Sequence, residues 1–77
     1  MNIKDIQQWE RDFTKRKGIA QDEEKAVKIA MLKLTEEVGE VSKAILEKDW
    51  DGVLAEVTDV IVFACKVANI AEDFHKT

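Results

Sequence analysis

The chain contains no proline and no tyrosine, and its 77 residues include only three glycines, one histidine and one cysteine. So little turn-forming chemistry argues against a β-sandwich, and a 45% hydrophobic content argues against a disordered tail. The lone Cys65 cannot form an internal disulfide. It lies in the run Val60-Ile61-Val62-Phe63-Ala64-Cys65 and reads as a small buried hydrophobe. No stretch approaches the roughly 18 consecutive apolar residues of a membrane span, and Met1-Asn2-Ile3-Lys4-Asp5 lacks a signal-peptide core, so the cytoplasm is the expected location and no membrane partner is expected. Twelve Lys and Arg against sixteen Asp and Glu leave a net charge of −4, the wrong balance for binding a nucleic-acid polymer.

What is present fits stacked helices. At about 100–200 residues per domain the whole of 1–77 is one domain. Asn2 can cap a first helix, expected over 3–17, in which Ile3, Ile6, Trp9 and Phe13 recur at helical spacing with Gln7 and Glu10 outward. Lys15-Arg16-Lys17-Gly18 supplies a basic last turn and a glycine stop. Asp22 is placed to cap a second helix over about 23–48, with Glu23 and Glu24 at its positive dipole end. Asp49-Trp50-Asp51-Gly52 reads as a short connection to a third helix over about 51–73, with His75 in a solvated tail.

Val27, Met31, Leu34, Val38, Val41 and Ile45 make one apolar seam, and Val53, Val57, Val60, Ala64, Val67 and Ala71 make another, so the two long helices should pair as an antiparallel hairpin. Ile29, Leu32, Leu54, Ile61, Val62, Phe63 and Ile70 lie off those seams and need cover that three helices do not supply. A small chain of this kind is marginal alone. The expected fold is therefore all-α: a helix hairpin plus an N-terminal helix, completed as a bundle by homo-oligomerisation to a dimer or tetramer.

The second helix carries Glu36, Glu37 and Glu40, and the third carries Glu56 and Asp59. Residues three apart lie on one side of a helix, so Glu37/Glu40 and Glu56/Asp59 each form a two-carboxylate rung. Counted from a turn near Asp49 at about 1.5 Å per residue, Glu40 comes level with Glu56 and Glu37 with Asp59. Four carboxylates at matched heights form an oxygen-rich box suited to a hard divalent cation, Mg²⁺ with Mn²⁺ as substitute. A di-iron site would need Glu-x-x-His pairs, and His75 is the only histidine.

Leu34-Thr35-Glu36-Glu37-Val38-Gly39-Glu40-Val41 followed by Glu56-Val57-Thr58-Asp59-Val60 resembles the EExxE and ExxD motifs of MazG-like nucleoside triphosphate pyrophosphohydrolases. The resemblance spans about Trp9 to Asn69. It implies an all-α oligomer that hydrolyses (deoxy)nucleoside triphosphates to monophosphate and pyrophosphate. It also implies metal ligation by Glu37, Glu40, Glu56 and Asp59, with Glu36 orienting or deprotonating the attacking water. Asn69 matches an asparagine frequent in the family and is a candidate for contacting base or sugar. Phe63 may be read as lining a base pocket or as core, and Trp9 and Trp50 as stacking on a base or covering the helix pair. Relatives usually carry a fourth helix with Lys, Asn and Arg for the phosphates, and this chain is expected to manage without it. Lys33 and Lys66 are the remaining candidates to face a phosphate, unless each forms an ordinary ion pair such as Lys33 with Glu37. The rival from another class is a non-catalytic helical interaction module that keeps the acidic groove.

Overall fold

The computed structural model describes residues 2–17 and 23–75, and all secondary structure within them is α-helical. Helix α1 is Ile3–Lys17, α2 is Glu23–Leu46 and α3 is Trp50–His75. The expected caps at Gly18 and Asp22 lie outside the described residues.

Helix α1 starts in a reciprocal cap. The Asp5 backbone N–H donates to Asn2 Oδ1 (3.0 Å) and the Asn2 N–H donates to Asp5 Oδ2 (3.1 Å), which satisfies two groups that a helix start leaves without partners. The α2–α3 connection is tighter than the sequence suggests. Asp49 N–H bonds to the Ala44 carbonyl and Lys48 N–H to the Ile45 carbonyl, a Schellman closure with Lys48 in the left-handed region at φ 57°. Asp49 then caps α3 by accepting from the Gly52 N–H at 3.0 Å. A side chain at Gly52 would begin 2.8 Å from Asp49 Cγ, so glycine is there to admit the cap. Trp50 to Gly52 therefore form the first turn of α3 and not a loop, α2 stops at Leu46 instead of near Lys48, and α3 continues through His75, which is helix and not tail.

Helix α3 is the spine. Helix α2 packs along it and α1 packs on it as well, while among the described residues α1 makes no contact with α2. The α2–α3 seam keeps every second residue of the expected one, Val27, Leu34, Val41, Val53, Val60 and Val67, and is shifted by one position at the residues between them. The facing residues are Val27, Ala30, Leu34, Glu37, Val41 and Ala44 against Val53, Glu56, Val60, Phe63, Val67 and Ile70, all buried or half-buried. Met31, Val38, Ile45, Val57, Ala64 and Ala71, expected inside, are exposed. The small Ala30 and Ala44 are the buried apolar residues of α2, since small side chains suit close helix packing, while the larger Met31, Val38 and Ile45 beside them stay exposed. Leu32 and Leu54 remain 70% and 69% exposed, and Leu46 and Trp50 are exposed too.

Helix α1 docks by the side expected to face water. Glu10 is buried and Gln7 half-buried, whereas Trp9 and Phe13 are exposed and stack on one another, ring centroids 5.3 Å apart. Cys65 is buried as expected, and burial followed by the charge of Glu10 pushes its thiol pKa up, away from the reactive thiolate. Among the described residues no helix is long and apolar enough to cross a membrane.

Candidate metal centre of the helix hairpin

Glu37 and Glu56 occupy positions of the α2–α3 seam that hydrophobic residues hold elsewhere along it, and Asp59 lies at the exposed edge of α3. Each offers one carboxylate oxygen within 4.8 Å of the other two. Helical geometry accounts for the convergence. Asp59 follows Glu56 by three residues, about 60° round α3, so both edge the groove that Glu37 enters from α2.

The electrostatics are those of an uncompensated cluster. Glu37 Oε2 is buried and has no hydrogen-bond partner. The Glu37 pKa is raised to about 7, first by hydrogen bonding to Glu56, which favours the protonated form, then by burial, then by the negative charges of Glu56, Asp59 and Glu36. No ion pair brings a cation to any of the three carboxylates among the described residues. Three converging carboxylates, one of which also carries a buried oxygen without a partner, fit a hard divalent cation, which takes oxygen donors and supplies the missing positive charge.

The other candidates are placed differently. Glu40, one turn beyond Glu37, is exposed and outside the converging set. Glu36 points to solvent and pairs with Lys33 at 3.7 Å, so the lysine's partner is Glu36 and not Glu37. Phe63 and Lys66 are half-buried on α3 beyond Asp59. Asn69 is buried at the α1 junction, where its Nδ2 donates to the Gln7 carbonyl and to Glu10 Oε1 (both 2.9 Å) and its Oδ1 accepts from Gln7 Nε2 at 3.0 Å. Every polar atom of that amide is occupied by α1. Trp9 is at the exposed edge of α1 against Phe13.

Sequence reasoning missed Glu10. Its Oε2 accepts from the Thr14 hydroxyl and its Oε1 from Asn69. Nearby Arg11 binds Asp73 (2.7 Å) and Glu72 (3.3 Å), and the Asp73 hydrogen bond leads the contacts that raise its pKa. The only signal was the i, i+4 spacing of Glu10 and Thr14, which is too common to single out.

The model of the MazG nucleotide pyrophosphohydrolase domain matches residues 25–77. The chain belongs to the MazG nucleotide pyrophosphohydrolase family. No curated protein and no solved structure matches it. The matched stretch contains all three converging carboxylates of this MazG domain and leaves α1 outside.

Proposed function

We propose that this MazG domain hydrolyses (deoxy)nucleoside triphosphates to the monophosphate and pyrophosphate, using Mg²⁺, with Mn²⁺ as a substitute, in the cytoplasm. The observation that carries the reading is the convergence of Glu37, Glu56 and Asp59, with a buried oxygen of Glu37 left without a partner, in a chain of this family. Glu37, Glu56 and Asp59 would hold the ion, and Glu40, exposed one turn further along α2, would have to turn inward to join them as a fourth carboxylate. When bound, the ion offsets the negative charge of the phosphates and polarises their oxygens.

In the net reaction, water attacks phosphorus, the bond between the α-phosphorus and its bridging oxygen to the β-phosphate breaks, and pyrophosphate leaves. Glu36, exposed beside the cluster, takes the proton from the water. Its pairing with Lys33 across 3.7 Å is exposed and weak, so it does not hold the carboxylate away from a substrate.

Self-association is part of the proposal. Trp50, Leu54, Val57 and Ile61 form an exposed apolar stripe on α3, and Leu32 and Leu46 lie exposed on α2. Between those leucines, Gly39 has nothing within 4 Å of where a side chain would begin. A mid-helix glycine costs roughly 0.5–1 kcal/mol relative to alanine, and its open surface suits the close approach of another helix. A homodimer or homotetramer that covers these faces accounts for all of them.

Pyrophosphate release from a panel of ribo- and deoxyribonucleoside triphosphates with Mg²⁺ tests the activity, and no release from any of them sinks it. Sedimentation equilibrium tests the assembly. A folded monomer at micromolar concentration excludes the oligomer.

A further inference from the structure

Lys66 is the one α3 residue near the carboxylate cluster whose charge and setting do not match. It is half-buried, and among the described residues it has no hydrogen bond or ion pair. Arg11 has Asp73 and Glu72, Lys28 has Glu24, and Lys33 has Glu36, while the other described lysines without an ion pair, such as Lys15 and Lys43, are exposed and Lys66 is not. A half-buried lysine lays its methylene stem along the surface with its ammonium toward water, so one without a partner in the chain is open to an anion that arrives from outside.

Its position specifies which anion. Lys66 follows Asp59 by seven residues, two helical turns, which places it about 20° round α3 from Asp59 and about 10.5 Å further along. The same strip of α3 runs on to Ile70 and Asp73. Those two residues, with Glu10, Thr14, Asn69 and the cations Arg11 and Lys15, line a cleft of about 280 Å³ between α1 and α3. Both α1 and α2 pack on α3, and among the described residues no Cα of one comes within 8 Å of a Cα of the other, so contact between them does not close over this strip. One end holds three carboxylates, the middle a cation, and the other end a cleft of mixed polarity.

We propose that Lys66 binds a non-bridging phosphate oxygen of the substrate whose phosphate chain meets the carboxylate-held ion, so that the nucleotide lies along α3 with its nucleoside end toward the α1–α3 cleft. The proposal deepens the hydrolase reading and rests on it. Lysine serves here as a point charge, with its methylene stem along the half-buried groove and its ammonium at the phosphate.

The test compares wild type, Lys66→Met, which keeps a stem and loses the charge, and Lys66→Arg, which keeps the charge. Three quantities are read: the melting shift with Mn²⁺ alone, the Kd for inorganic pyrophosphate with Mg²⁺, and KM and kcat for a hydrolysed triphosphate. A lost charge-assisted hydrogen bond predicts that Lys66→Met raises the pyrophosphate Kd and the KM about tenfold or more, while the Mn²⁺ shift stays at its wild-type size. Lys66→Arg is expected to stay much closer to wild type on all three. The proposal is overturned if Lys66→Met binds pyrophosphate as wild type does, or if it loses the Mn²⁺ shift along with the phosphate affinity. In the first case the hydrolase reading stands on wild-type turnover. If the wild type itself neither binds pyrophosphate nor turns over any triphosphate, both readings fall, and the Mn²⁺ shift alone reports whether the metal centre survives.

Discussion

Glu10 and Glu37 are both drawn away from water, one at the α1–α3 junction and the other in the α2–α3 hairpin, and the chain surrounds them in opposite ways. Glu10 is 4% exposed, and its two oxygens accept from Asn69 and the Thr14 hydroxyl. Glu37 meets two more carboxylates, and its Oε2 accepts from nothing. A buried polar group that is fully hydrogen-bonded stabilises its surroundings, while one left without a partner costs free energy until something external supplies the missing charge or donor. The α1 junction is therefore a structural joint, and the hairpin groove is where we propose that an ion binds.

The largest expected effect separates the two regions by metal. A divalent ion that binds only the folded chain adds about 2.7 kcal/mol at a hundred times its Kd. Mg²⁺ or Mn²⁺ should raise the melting temperature beyond a monovalent salt at matched ionic strength. The double substitution Glu56→Gln with Asp59→Asn should abolish that increment and the turnover while leaving the metal-free protein at least as stable. Equal shifts from divalent and monovalent salts in the wild type would erase the distinction, because screening alone would then explain both.

Next comes the joint. Asn69→Ala strips donors and an acceptor from Glu10 and Gln7, and leaving buried groups unpaired costs about 1–3 kcal/mol per group. Urea unfolding should read that loss with the metal increment intact. Glu37→Gln, the matching change in the other region, should leave the metal-free protein unchanged or more stable. If both substitutions destabilise alike, the two glutamates are not different in kind.

The third expectation is a pH slope. Glu37 carries a folded pKa of about 7 against an ordinary 4.5, so between those values the native state holds a proton that the unfolded chain has released. Metal-free stability should then fall as pH rises through that window, while the metal increment grows as the carboxylate becomes available. Melting curves across the range, with and without Mn²⁺, show both slopes. A metal-free protein that gains stability over the same interval contradicts the cluster's electrostatics.

The smallest effect belongs to Lys33. Its exposed pair with Glu36 is worth about 0.2–1 kcal/mol at most, so Lys33→Ala should barely move the unfolding midpoint. A large loss in stability or metal affinity would bring Lys33 into the site.

Much of the hairpin is readable from residue spacing. Glu56 and Asp59 share a side of α3 because they are three apart, and Asn2 announces the start of α1, although its reciprocal partner Asp5 emerged only from the structure. The seam was misplaced at alternate positions because periodicity weights large apolar side chains such as Met31 and Val38, whereas close helix packing selected Ala30 and Ala44. Asp49-Trp50-Asp51-Gly52 reads as a turn because glycine and aspartate favour turns, and only the geometry reveals one aspartate that closes α2 and caps α3 at once. Glu40 shares the rung spacing with Glu37 yet stays exposed, since a step of about 60° carries it off the seam.

The sequence by itself determined that the chain is helical, that two long helices pair, and that acidic residues gather at one level of that pair, because these follow from local propensity and from a periodicity of 3.6 residues. Tertiary structure alone decided that α1 would dock by its polar face, that Asn69 would be spent on holding it, and which three of the carboxylates would meet. Those outcomes depend on helix rotation and on residues as far apart as Gln7 and Asn69, and no local pattern records which side chain lies across a joint between segments about sixty residues apart.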